Sequence, residues 1–313
     1  MSRIHEALKK AEQERVASQG GAAQPSYSGG AVSETSTTFI DEPRGNGSGM
    51  GVIPLPTMSS HPGALDLETL LARCVPQPWV PDEKVMLFFN GEEGVRGTEE
   101  FRTLRSRLYH MREKMPLKKI LVTSALPQEG KSFTSANLAQ VLVRQHGRRV
   151  LLIDADLRSP KLHMMLGTTA SPGLSDYLQG RADEFSIMQR GPMDSLFFIA
   201  SGGEISDPSE LVGSERLKLL LQRVGDLFDW IVIDSPPAVP VSDASMLAKA
   251  CDGVLMVVRS NATPTDMARR ARQEFPDEML IGVVLNGAQS ASVPYTRYYY
   301  DGHQKNGTES KTT

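Results

Sequence analysis

Ile120-Leu-Val-Thr-Ser-Ala-Leu-Pro-Gln-Glu-Gly-Lys-Ser132 decides how the rest of this chain is read. An apolar run of strand length passes through a turn-prone segment into Gly-Lys-Ser. From there a helical pattern carries Phe133, Ala136, Ala139 and Val141. A strand, a tight loop and a helix N-terminus in that order make a cradle for phosphate, because backbone N–H groups curl around the oxygens and the helix dipole favours negative charge. Lys131 takes the place whose ammonium reaches the outer phosphates, Ser132 the place whose hydroxyl meets Mg²⁺, and Gly130 lets the backbone approach closely. The usual pattern, Gly-x-x-x-x-Gly-Lys-Ser/Thr, opens on glycine, whereas Ala125 stands there. Taken alone, an ordinary strand-to-helix turn therefore remains an open reading.

Outward from this loop, apolar strand patterns alternate with helices. Strands are expected at Val150 to Ile153, Leu196 to Ala200, Trp230 to Ile233, Val254 to Val258 and Leu280 to Leu285. Helices are expected at Ser132 to Gln145, Pro208 to Leu227, Asp243 to Ala250 and Thr265 to Phe275. Short, wholly apolar strands alternating with helices imply an α/β fold with a mostly parallel sheet covered on both faces. Ligands of such sheets bind at the carboxyl ends of the strands.

Acids fall at that edge. Arg149-Val-Leu-Leu-Ile-Asp-Ala-Asp-Leu-Arg158 is a strand that ends in Asp154 and Asp156, two residues apart and so on one side of the chain. Phe228-Asp-Trp-Ile-Val-Ile-Asp-Ser-Pro-Pro237 ends in Asp234, with Pro236 and Pro237 holding the exit extended. One such acid reads equally well as a helix cap or a solvated loop residue. Three beside Gly-Lys-Ser supply the oxygen ligands that Mg²⁺ prefers. Beyond the last strand, Asn286-Gly287 makes a turn; Asn286 either serves that turn or reads a base edge.

Charge and composition narrow the function. The 313 residues carry a formal net charge of −3, which is no basic footprint for nucleic acid. Cys74 and Cys251 stand far apart without ligand spacing, as expected of small buried residues in a reducing compartment. The N-terminus lacks the apolar core of a signal peptide and no run reaches membrane-spanning length, so a cytoplasmic location is expected.

Five segments are expected. Residues 1–17 form a short amphipathic helix with Ile4, Ala7, Leu8 and Ala11 on one stripe, marginal alone in water, so that it frays or docks. Residues 18–63, rich in Gly, Ser, Thr, Ala and Pro, form a flexible linker, and 64–94 an ordered lead-in segment with a short helix. Residues 95–290 hold the nucleotide-binding domain and 291–313 a flexible tail. At the start of the domain, a helix from Glu99 to Leu108 places Phe101, Leu104 and Leu108 on an apolar stripe. Glu99, Arg102 and Arg105 recur at three-residue spacing beside it, as a solvated charged face or as a subunit contact. In the tail, four of the seven tyrosines, Tyr295, Tyr298, Tyr299 and Tyr300, crowd into six residues. They are a sticky terminal segment or exposed acceptors for phosphoryl transfer.

Together these residues resemble the polysaccharide-biosynthesis tyrosine autokinases, the bacterial tyrosine kinases of capsular and exopolysaccharide synthesis. The match rests on the Ala125 to Ser132 loop, the Asp-x-Asp-x-Arg strand, the strand Ile231 to Pro237, the helix Glu99-x-x-Arg102-x-x-Arg105 and the tyrosine cluster. An initial residue other than glycine is usual in that family's loop. The resemblance implies a P-loop NTPase-like fold that binds ATP and Mg²⁺ through Gln128, Glu129, Gly130, Lys131, Ser132 and Phe133, with Arg158 and Asn286 in supporting places. It implies Ser132, Asp156 and Asp234 around the metal, Asp154 as the base that accepts the tyrosine proton, and Tyr295, Tyr298, Tyr299 and Tyr300 as phosphoacceptors. It further implies a ring-like homo-oligomer joined through Glu99, Arg102 and Arg105, with each tail in a neighbour's site. A separate membrane-embedded chain-length or co-polymerase partner would hold the chain at the inner face of the plasma membrane.

Two other readings use the same residues. A nucleotide-switch ATPase of the septum-positioning and partition type carries a second lysine just after the first loop residue, where this chain has Leu126. A nucleotide-gated scaffold of polysaccharide export would bind without transferring.

Overall fold

The structure, a computed structural model, describes residues 66–74, 76–89, 97–145 and 147–288. The N-terminal helix and linker expected at 1–63 and the tyrosine-rich tail lie outside these. The described chain begins with α1 (Leu67–Arg73), α2 (Thr98–Arg112), β1 (Lys119–Ser124), α3 (Lys131–Val143) and β2 (Val150–Asp154). It continues with α4 (Leu162–Leu166), α5 (Leu174–Leu178), β3 (Met188–Arg190), β4 (Leu196–Ile199), α6 (Pro208–Val212) and α7 (Glu215–Gly225). β5 (Trp230–Asp234), α8 (Asp243–Ala248), β6 (Gly253–Arg259), α9 (Thr265–Gln273) and β7 (Leu280–Asn286) complete it.

The seven strands form one sheet in the order β3-β4-β2-β5-β1-β6-β7, with only β3 antiparallel. Successive side chains of a strand point to opposite faces, and the sequence puts apolar residues at both. Leu121, Leu151, Ile153, Phe197, Ile231 and Ile233 join the core on one face, while Ile120, Val122, Val150, Leu152, Phe198 and Val232 join that on the other. That double burial is why the strands read as continuous apolar runs.

Register then positions chemistry. Asp154 at the end of β2 lies opposite Asp234 at the end of β5, and Val122 of β1 lies opposite the same Asp234. The acid-bearing strand ends therefore converge beside the loop that leaves β1.

The expected single helix Pro208 to Leu227 is corrected to two. Gly213 closes α6 and Ser214, in extended conformation, starts α7, a break that follows from glycine's preference for helix ends and serine's for helix starts. The three-residue β3 and the five-residue α4 and α5 were not expected, being too short to show a period.

The stretch before α2 is fastened to the domain. Gln77 donates its N–H to the Arg190 carbonyl at 2.8 Å, Val80 to Gly167 at 3.2 Å and Asp82 to Met165 at 3.0 Å. On α3, the Asn137 amide accepts from the Leu87 N–H and donates to the Val85 carbonyl, both at 2.8 Å.

Candidate active site

Two left-handed residues shape the loop between β1 and α3, Gln128 at φ 65° and Gly130 at φ 95°. Glu129 between them is buried and braces the turn. Its Oε2 accepts the Leu126 N–H at 2.8 Å and its Oε1 accepts the Thr263 hydroxyl, which itself accepts the Arg259 N–H at 3.0 Å. From β7, Asn286 Nδ2 donates to the Glu129 carbonyl at 2.9 Å, and from β6 an Arg259 guanidinium nitrogen reaches the Gln128 carbonyl at 3.3 Å. The loop is thus held open by side chains of two neighbouring strands. It is not left to fold on itself.

Gly130 is required twice over. A Cβ added there would lie 2.0 Å from Asn286 Nδ2, on a backbone that side chains rarely adopt. Gly130→Ala is expected to cost about 1–3 kcal/mol of strain. A lower melting temperature together with weaker nucleotide binding in a titration would show it.

On α3, three side chains meet the strand-end acids. Lys131 Nζ donates to Asp156 Oδ2 at 2.6 Å and to Ser132 Oγ at 3.3 Å, and stands 3.9 Å from Asp234 Oδ2. The Ser132 hydroxyl donates to Asp234 Oδ2 at 2.6 Å, and that of Ser135, one helical turn on, to Asp234 Oδ1 at 3.0 Å. All of these side chains are buried. Burial alone would lower the Lys131 pKa, but the Asp234 and Asp156 charges outweigh it and hold the ammonium protonated. Burial raises that of Asp234, against the pull of Lys131 and Ser132.

Asp154 is placed differently from Asp156. Its Oδ2 accepts the N–H groups of Lys161 and Leu162 at the start of α4, at 3.2 and 3.1 Å, and its Oδ1 accepts the Asp156 N–H at 3.3 Å. Burial first, and then the Asp234 charge across the ladder, push its carboxyl up to about 8. Like that of Asp234, its carboxyl is made harder to ionise by burial.

Arg158 pairs with Asp243 and Ser209. Its Nε donates to Asp243 Oδ2 at 2.8 Å, and its Nη2 to Asp243 Oδ1 at 3.1 Å and to Ser209 Oγ at 2.7 Å. Phe133 stacks edge-on against Phe101 of α2, with ring centroids 5.9 Å apart. Sequence reasoning did not single out Ser135, Thr263, Asp243 or Ser209. The four-residue helical spacing from Lys131 is the signal that could have found Ser135; the other three partners are set only by the fold.

On α2, Glu99 pairs with Arg102 within the helix, and Arg105 donates to the Val141 carbonyl of α3 at 3.1 Å. Among the described residues no three or more His, Cys, Asp or Glu gather to hold a metal ion. The cation-accepting set is instead one hydroxyl and two carboxylates, with an ammonium already among them. It fits Mg²⁺, which keeps several waters and takes only one or two carboxylates from the protein. Among the described residues no helix is long and apolar enough to cross a membrane.

A phosphate loop at the carboxyl edge of a parallel sheet, braced by the neighbouring strands and faced by strand-end acids, defines a nucleotide-binding domain. Residues 120–294 match the CobQ/CobB/MinD/ParA nucleotide binding domain, and the chain belongs to that family. Within it the chain is one of the bacterial tyrosine-protein kinases. It is 32% identical over 211 residues to the tyrosine-protein kinase YwqD of Bacillus subtilis (strain 168), covering 67% of this chain and 88% of that one. It is 31% identical over 201 residues to the tyrosine-protein kinase etk of Escherichia coli (strain K12), of whose length it spans only 28%. Among solved structures, the kinase domain of Escherichia coli ETK superposes with a TM-score of 0.60 at 29% identity, over 68% of this chain and 83% of that one. The BceF tyrosine kinase domain superposes with 0.57 at 29% identity, over 71% and 86%.

Proposed function

We propose that this chain transfers the γ-phosphoryl group of ATP to tyrosine hydroxyls of its own C-terminal cluster, Tyr295, Tyr298, Tyr299 and Tyr300, in trans between subunits, and so regulates capsular or exopolysaccharide synthesis and export. The observation that carries the reading is the gathering of Lys131, Ser132, Asp156 and Asp234 at one strand edge in a chain related to tyrosine kinases.

Phosphoryl transfer needs little covalent chemistry from a protein; positioning and charge neutralisation supply most of the catalysis. The N–H groups of Gln128 to Phe133 and the Lys131 ammonium would hold the phosphates. Ser132, Asp156 and Asp234 would hold Mg²⁺, which when bound neutralises phosphate charge and aligns the transferring group. Asp154, whose carboxylate is made more basic than usual by burial and by the Asp234 charge, would in its ionised form receive the tyrosine proton. Asn286, whose Nδ2 bonds the Glu129 carbonyl of the loop, would meet a base edge.

Mass spectrometry of the purified chain with Mg²⁺ and ATP tests this directly. Phosphate is expected on the tryptic peptide that contains Tyr298 to Tyr300. ATP consumed without phosphate on that peptide would favour the switch ATPase, and ATP bound without consumption the scaffold.

The remaining parts of the proposal are a ring built through Glu99, Arg102 and Arg105, and a membrane-embedded polysaccharide co-polymerase that activates the chain. Within one chain Arg102 and Arg105 already have partners in the helix pair α2 and α3, and an exposed i,i+3 pair contributes only about 0.2–0.5 kcal/mol to its own helix. Replacing both arginines by alanine is thus expected to leave the fold unchanged while lowering the mass in light scattering. An unchanged mass would remove the ring from the proposal.

A further inference from the structure

Lys131 stands where the divalent cation would go. Its ammonium lies 2.6 Å from Asp156 Oδ2, 3.3 Å from Ser132 Oγ and 3.9 Å from Asp234 Oδ2. Those three oxygens are the set that would bind Mg²⁺. An ammonium and a hydrated ion cannot both sit among them, and the lysine cannot reach phosphate without leaving.

We propose that Lys131 is the resident counter-ion of this site, and that it makes cation binding and nucleotide binding depend on each other. This rests on the reading of the site as a place for nucleotide with a divalent cation, and on nothing about tyrosine. The side chains of Asp156 and Asp234 are 4% and 0% exposed, and that of Lys131 10%. A buried charge stripped of its partner is far more costly than a pair left intact. A cation entering alone would displace the ammonium and leave it buried beside a doubly charged ion. A phosphate entering alone would draw the ammonium off and leave two buried carboxylates without a cation, Asp234 held by two serine hydroxyls and Asp156 by the Ser159 N–H.

When both enter, every charge has a partner: the metal takes the acids, and the lysine takes the phosphate. Ser135 and Ser132 are suited to this exchange. Their hydroxyls hold the two oxygens of Asp234 in place whichever cation faces them. The lysine thus acts as the coupling element, with one position on the acids and one on the phosphate.

The test needs no kinase activity. Mn²⁺, used as the probe, is titrated by electron paramagnetic resonance into the full chain without nucleotide, at mildly alkaline pH. Wild type is compared with Lys131→Met, with Lys131→Gln, which retains a hydrogen-bond donor toward Asp156 without its charge, and with Lys131→Arg. With the ammonium gone the acids are free, so the two neutral variants are expected to bind Mn²⁺ at least about tenfold more tightly than wild type, within the range of typical coupling. Lys131→Arg is expected to bind it as weakly as wild type. Addition of ADP should then tighten Mn²⁺ binding more in wild type than in the neutral variants.

Circular dichroism identifies which variants fold, and either neutral variant that folds decides the matter. If it binds Mn²⁺ alone no more tightly than wild type, the ammonium is not competing for those oxygens and the proposal fails. Absence of phosphate on the tail peptide would end the kinase reading and leave this result untouched.

Discussion

Phosphotyrosine is expected to disappear from the tail when Lys131 is replaced by methionine, with ATP-dependent transfer reduced by at least about a hundredfold, as when a preorganised charge-stabilising donor is removed. Among the described residues no other cationic side chain replaces the lysine beside the phosphate loop: Arg158 is committed to Asp243 and Ser209, and Arg259 to the Gln128 carbonyl. Methionine has nearly the same length and no charge. The variant should therefore keep its far-UV circular dichroism, because the sheet and α3 are built on contacts elsewhere. Phosphate on the peptide containing Tyr298 to Tyr300 in this variant, prepared free of other kinases, would remove Lys131 from the mechanism.

The second large effect is one of stability. Trp230→Ala is expected to destabilise the domain by about 3–5 kcal/mol, the usual cost of deleting a large buried aromatic. Trp230 opens β5, four residues before Asp234, and is fully buried. Its Nε1–H donates to the Tyr109 hydroxyl at 3.0 Å, the two rings meet edge to face at 5.3 Å, and the Arg112 guanidinium lies 4.7 Å from its centre. Tyr109 and Arg112 both belong to α2, so the indole anchors that helix to the sheet. Urea unfolding of the variant should show a lower midpoint. If α2 carries the subunit contact, self-association should weaken together with stability. A midpoint equal to that of wild type would mean that α2 is held by its apolar stripe alone.

The strands were legible because each is apolar on both faces, and the acids because they end such strands where ligands of parallel sheets bind. The phosphate loop was legible even with Ala125 at its head, since the chemistry of Gly130, Lys131 and Ser132 lies in their neighbourhood in sequence. Long-range pairings were not legible. Nothing local says that Arg158 will find Asp243, or that Thr263 will brace Glu129, because those partners lie 85 and 134 residues away and meet only when the strands are in register. The break between α6 and α7 was legible in principle at Gly213-Ser214. The amphipathic run Leu217 to Leu227 begins just beyond it and masks the stop.

Asn286, the last residue of β7, is hydrogen-bonded to the phosphate loop itself. The segment that leads to the tyrosines is therefore rooted at its own subunit's site. From Asn286 to Tyr295 the chain can extend about 30 Å, and to Tyr300 about 45 Å. On the proposal that the tail is the substrate, a segment of that reach would meet a site within its radius at an effective concentration in the millimolar range. In the assembly proposed above, with a neighbouring loop within that radius, the rate of modification would be set by tail length and by how many subunits stand together. Dilution of the protein would lower it only by taking the assembly apart.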